Sequence, residues 1–164
     1  MALPNKVLPG FSAALYCQSG ATPTPLTTAQ LSLVASVSPI AVSGNQLPVE
    51  AIPAFGQDDA VANYSVAGSR QSDKIPVQAA PTSMTITAAW NPADTNLLLM
   101  RADAYSGTID RTFVVSATDG TNIVYYAFNG RVGQFQIDSQ PGAEAKCTFT
   151  IHPRGNQYGW SNNA

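Results

Sequence analysis

The sequence predicts a mainly β, single-domain protein: antiparallel strands, one flanking helix and a long arm or hairpin. Three observations predict it. Apolar residues alternate through the C-terminal half, turn pairs separate those stretches, and one capped apolar run has helical signals. A chain of 164 residues suits one domain, and 45% apolar content is that of a globular protein. Charged residues make up only 11%, against about 25% on average. That excludes a coiled coil and a charged disordered chain. It fits a subunit whose surface is covered by neighbours, because interface centres are depleted in charge. A charge-poor secreted-type β domain has the same composition.

In chain order, Ser12–Gln18 and Leu31–Ser38 read as strands joined by Thr22-Pro23-Thr24-Pro25. Pro39 to Pro81 has no sustained period, and loops beyond ~12–15 residues are usually functional or disordered. With Ile52, Phe55, Val61 and Tyr64 embedded in it, this segment reads as an arm or hairpin that orders against a partner. Met84, Ile86, Ala88 and Trp90 alternate as a strand. Asn91 then caps a helix from Pro92 to Tyr105, with Pro92 at its first position, Asp94 favouring the helix dipole and Gly107 as the stop. Leu97 to Met100 covers every side of a turn, which predicts burial against the chain's own sheet and against a neighbour.

A meander follows. Arg111–Thr118 leads through Asp119-Gly120, a strong hairpin signal, into Asn122–Phe128. Asn129-Gly130 is either a further turn or a bulge in one long strand. Phe135 and Ile137 alternate with Gln134 and Gln136, and Pro141-Gly142 turns into Ala143–His152. There Cys147, Phe149 and Ile151 share an apolar face. Residues 1–155 form the expected domain and 156–164 a C-terminal tail.

The chemistry-bearing residues form no reactive set. Net charge is −2, with no basic cluster to grip phosphates. No apolar stretch approaches the ~20 residues of a membrane helix, and MALPNKVLPGF lacks a signal-peptide pattern, so synthesis in a reducing cytosol is expected. Cys17 and Cys147 sit on apolar faces and follow no metal spacing. His152, the one histidine, lies on a polar strand face, and no GxSxG elbow presents a nucleophile. Asp58-Asp59 lacks the alternating oxygen ligands of a calcium loop, and no glycine motif cradles a nucleotide. The expectation is no enzyme, no metal and no cofactor. Tyr125, Tyr126 and Phe128 could form a sugar-stacking platform in a carbohydrate-binding β-sandwich.

The ordered set of elements resembles the tail tube protein (major tail protein) of long flexible-tailed bacteriophages. The likeness lies in the Trp90-x-Pro92 junction into an apolar helix, the Asp119-Gly120 hairpin and the Phe128-Asn129-Gly130 step. The closing strand ending near Pro153-Arg154-Gly155 completes it, so that it spans about Pro4 to Gly155. The resemblance implies an antiparallel β-sandwich or barrel that forms hexameric rings, stacked into a virion tail tube that conducts DNA. It implies tail terminator, tape measure and baseplate proteins as partners, synthesis in the host cytoplasm and no bond chemistry. A related terminator or secretion-tube ring would share the fold. Leu47 to Pro76 is then the inter-subunit arm, with Phe55, Asp58, Asp59 and Tyr64 as contacts, and its deletion should leave a folded subunit unable to polymerise. Thr118, Gln134 and Gln136 are candidates for the lumen face. The family's channel is acidic, whereas the strand faces here are mostly neutral.

Overall fold

Five strands pair in the order β1-β5-β6-β7-β4, every pair antiparallel. They are β1 (Ser12–Cys17), β4 (Met84–Ala89), β5 (Asp110–Thr118), β6 (Asn122–Asp138) and β7 (Lys146–Asn163). A separate hairpin pairs β2 (Gln57–Tyr64) with β3 (Asp73–Pro81). The computed structural model describes residues 12–64, 73–118, 122–139 and 142–163, and the side chains of all these except 57–80 and 156–163. The expected Asp119-Gly120 turn and Pro141 lie outside the described residues.

The strands make one curled sheet rather than two stacked ones, so the barrel form of the expectation describes it. The segment Gln46–Glu50 joins its two margins. Gln46 bridges Tyr16 and the Leu47 N–H donates to Leu15 O at 2.9 Å, on β1. Val49 bridges Ala88, the Glu50 N–H donates to Thr87 O at 3.0 Å, and Pro48 O accepts from the Ala89 N–H, on β4. Leu47 itself is buried in the core. The first residues of the expected arm are therefore a strap across the barrel. The hairpin begins ten residues later and runs past Pro76 to Pro81.

All five strands feed one core: Leu15, Cys17, Met84, Ile86, Ala88, Phe113, Val115, Phe128, Val132, Cys147, Phe149 and Ile151. Helix α3 (Thr95–Ser106) covers it with Leu97 and Met100. The helix starts three residues later than the sequence predicts. Asp94, not Asn91, is the cap, and its Oδ1 accepts from the N–H groups of Asn96 and Leu97 at 2.8 and 3.2 Å. A carboxylate that takes two orphan donors at the positive helix end outcompetes a neutral amide. Asn91 instead accepts from the Ala93 N–H in a turn before the helix. Gly107 supplies the stop at φ 63°.

The opposite face of β1, β5 and β6 carries a smaller cluster, with Val114 and Ala127 under Leu31, Val37 and Ile40. Leu31–Ser38 is thus not a strand. It belongs to two short helices, α1 (Thr28–Leu31) and α2 (Val34–Val37). Thr27 and Gln30 form a reciprocal capping box, a signal present in the sequence that overrides the apolar alternation there. Coverage on both sides explains why Arg111 to Val115 is buried continuously.

The strand β6 runs through Asn129-Gly130, which excludes the turn, and the bulge beside it falls on the partner strand. The register with β7 shifts between Ala127 and Asn129, where the extra residues lie on β7 and Gly155 has φ 74°. A second shift falls between Gly133 and Gln136, where Gln134 has φ 54°. Val132 and Phe135 both pack on the core although they are three residues apart, and one inserted residue restores that phase. The expected tail, 156–164, differs most: β7 continues to Asn163, with Tyr158 to Asn163 paired to Asn122–Ala127.

Candidate functional site: the polar sheet face

Residues opposite one another in an antiparallel pair share a face, so the registers define the side of the sheet away from the core. Near Thr112 and Asn129 that side is covered by Leu26, whose N–H donates to Thr112 Oγ1 and whose carbonyl accepts from Asn129 Nδ2. Beyond this row it opens. The open face carries Thr85 and Thr87 of β4, Thr148 and His152 of β7, and Arg131, Gly133 and Gln136 of β6, with Thr150 buried between them. Its centre is neutral, and Thr85 and Thr150 hydroxyls lie 3.4 Å apart.

Charges sit at the two ends of this face. At one, Asp110 accepts from both Arg131 Nε at 2.8 Å and Arg154 Nη1 at 3.0 Å. At the other, Lys146 Nζ lies 2.6 Å from Glu50 Oε1 of the strap. The hydrogen bond and charge of Glu50 raise the Lys146 pKa above its ordinary 10.5.

The predicted lumen residues do not form one cluster. Gln136 lies on the open face opposite Thr148, and Gln134 is the exposed bulge residue beside it. Thr118 is on the same side of the sheet but at the far end, across from Ile123. Of the predicted arm contacts, Phe55 packs on the subunit's own core and meets Tyr126 edge-on at 4.9 Å, at the base of the hairpin rather than along it. Asp58, Asp59 and Tyr64 fall on β2, and their side chains lie outside the described ones.

The stacking platform is not formed. Tyr125 packs with the smaller cluster, Tyr126 turns to the other face against Phe55, and Phe128 is buried against Phe113. Alternation along the strand separates what adjacency in sequence suggested. His152 Nδ1 meets Ser83 Oγ at 2.9 Å, while Nε2 lies over Gly133, where a Cβ would stand 3.2 Å away. Among the described residues no carboxylate orients the ring as a base would require. Both thiols are buried, and desolvation pushes Cys17 up to about 12 and raises Cys147, which disfavours the thiolate form at both. Among the described residues no group of metal-ligating side chains gathers, and no helix is long and apolar enough to cross a membrane.

Sequence reasoning missed the pair that organises the helix end. Arg111, on β5, is fully buried and donates through Nε and Nη2 to the two carboxylate oxygens of Asp103 on α3, at 2.7 and 3.0 Å. Its Nη1 donates to Gln18 O and to Gly20 O, pinning the chain after β1.

No protein-family model matches the chain, and no curated protein matches it by sequence. Solved structures do, 19 chains in all. A chain of the PVC sheath/tube terminator in its extended state, from an extracellular contractile injection system, superposes with TM-score 0.64 over 96% of this chain and 99% of that one. The SPP1 tail tube subunit gives TM-score 0.54 over 93% of this chain and 77% of its own. The fold is that of tail tube and tube terminator proteins. A chain of the anti-feeding prophage baseplate, solved with sixfold symmetrisation, shares this tail-tube fold at TM-score 0.61, over 98% of this chain and 97% of its own. A tail chain of an empty GTA particle refined with C6 symmetry does so at 0.52, over 71% and 87%. Identities are 12%, 11%, 9% and 12% respectively, so backbone geometry carries the likeness.

Proposed function

We propose that this protein is a structural subunit of a phage-type tail tube. It forms hexameric rings that stack around a passage for DNA and catalyses no reaction. The observation that supports this reading best is the superposition on a baseplate chain solved with sixfold symmetrisation, over 98% of this chain, and on a tail chain refined with C6 symmetry, over 71%. The surface agrees with it. Leu33 and Tyr105 are 55% and 76% exposed, and Val42, Leu98 and Ile137 are also exposed, side chains available to contacts between copies. The hairpin β2–β3 is the candidate stacking arm, with Asp58, Asp59 and Tyr64 as its contacts. Partners of such a tube are a terminator, a tape measure and a baseplate, and its place is the virion tail.

Negative-stain electron microscopy of the purified protein tests the reading. Rings and tubes are the expected result, and a monodisperse monomer at every concentration and ionic strength would refute it. Replacing residues 60–78 by an Asn-Gly turn should leave a folded subunit that no longer stacks. Deleting 47–76 is the wrong test, because it removes buried Leu47 and the strap. A second reading, a terminator or baseplate ring of limited copy number, is favoured by the higher TM-scores of those chains, 0.64 and 0.61 against 0.54 for the tail tube. Single rings that never lengthen would select it.

A further inference from the structure

We propose that Asp110 and Glu50, together with Asp138, are charge-masking residues, which balance the three cations of the open β4–β7–β6 face so that this face can line a passage for DNA without holding it. The inference rests on the conduit reading above and assigns the wall.

Three surfaces of the described subunit compete for that role. The helix side exposes Leu98 and Tyr105, the latter under the Arg101 guanidinium, and the cover of α1 and α2 exposes Leu33 and Val42, surfaces suited to contacts between copies. The remaining surface is the open sheet face, whose exposed and half-buried centre is Thr85, Thr87, Thr148 and Gln136. Hydroxyl and amide groups keep water at a wall and offer no fixed charge to a phosphate. Arg131, Arg154 and Lys146 break that neutrality, and each lies within 3.0 Å of a carboxylate. Asp138, opposite Lys146, brings the face to three cations against three anions.

The geometry is economical in a telling way. Asp110 is shared between two arginines on different strands, so one substitution frees both. Exposed pairs of this kind contribute only about 0–1 kcal/mol to folding, which makes stability a weak reason for their presence. Their effect on a polyanion is larger. Each unmasked cation that reaches a phosphate adds about −0.9 to the slope of log affinity against log salt. Three contacts give a slope of about −2.7, or about a 40-fold loss of affinity between 50 and 200 mM salt.

The test compares the wild-type chain with the double variant Asp110→Asn, Glu50→Gln, using a short fluorescein-labelled DNA duplex and fluorescence anisotropy across a salt series. Thermal melts confirm folding. The expected result is no retention by the wild type and salt-sensitive retention by the variant. Leu33→Lys with Ala35→Lys, on the cover, is the control that makes the same change in net charge. Equal binding by that control, or none by the masked-site variant, overturns the proposal. Thr85→Cys, coupled to a small gold cluster, places the face in assembled particles, since Cys17 and Cys147 are buried and do not compete. Gold along the tube axis supports the assignment; gold on the outer wall, or blocked assembly, overturns it. If the wild-type chain never assembles, the conduit reading falls, while the binding comparison still decides whether the carboxylates mask the face.

Discussion

Asp103→Asn keeps the shape of the side chain and removes its charge, leaving the Arg111 guanidinium buried without a counterion. Both side chains are almost inaccessible, 0% and 2% exposed, so water cannot replace the lost partner without opening the core. Breaking such a buried pair costs about 3–5 kcal/mol. For a chain of this size that is a fall in Tm of about 6–20 °C, a large part of a typical folding free energy. Urea unfolding followed by far-ultraviolet circular dichroism measures it. Arg111→Met with Asp103→Leu should recover most of the loss, because apolar side chains of similar volume often replace a buried pair without penalty. Recovery should stop about 1–3 kcal/mol short, since the carbonyls of Gln18 and Gly20 lose their donor. A cost below about 1 kcal/mol for Asp103→Asn would show that the guanidinium is solvated in some other way, and the argument for a buried pin would fail.

Three further outcomes are expected. Desolvation holds the Cys17 pKa at about 12 against an ordinary 9.0, so the folded state binds that proton more tightly. Below pH 9 there is no effect. Between about 9 and 12 the unfolded chain ionises first and stability falls, by about 2 kcal/mol at about pH 10.5, and urea midpoints against pH should show a slope that Cys17→Ala reduces. Gln134→Gly should leave stability equal or slightly higher in thermal melts, whereas Gln134→Val should lose about 1–2 kcal/mol, because a β-branched residue resists the left-handed backbone at φ 54°. Asp94→Ala should cost about 1 kcal/mol by urea unfolding and Asn91→Ala distinctly less; the reverse order would restore Asn91 as the cap.

Much of the framework was legible wherever the local signal and the tertiary role agreed. Met84, Ile86 and Ala88 alternate in sequence and are buried in alternation, and Cys147, Phe149 and Ile151 do the same. Leu31–Ser38 misled because its apolar residues alternate over a span too short to separate a strand from two single-turn helices, although Thr27 and Gln30 carried the contrary signal. The candidate site was less legible. Gln136 reached the open face, but Asp110 and Glu50 were not singled out, because nothing local marks a carboxylate whose arginine partners lie 21 and 44 residues away.

The sequence by itself determined the class of fold, the alternating strands of the C-terminal half, the helix that ends at Gly107 and the burial of both cysteines, since each follows from spacing within a few residues. Tertiary structure alone decided that Leu47 straps the barrel, that Phe55 packs against Tyr126, and that one carboxylate answers two arginines. Those are facts of closure and register. A curled sheet brings its margins and its charges together only once every strand has found its neighbour, and no local pattern encodes that.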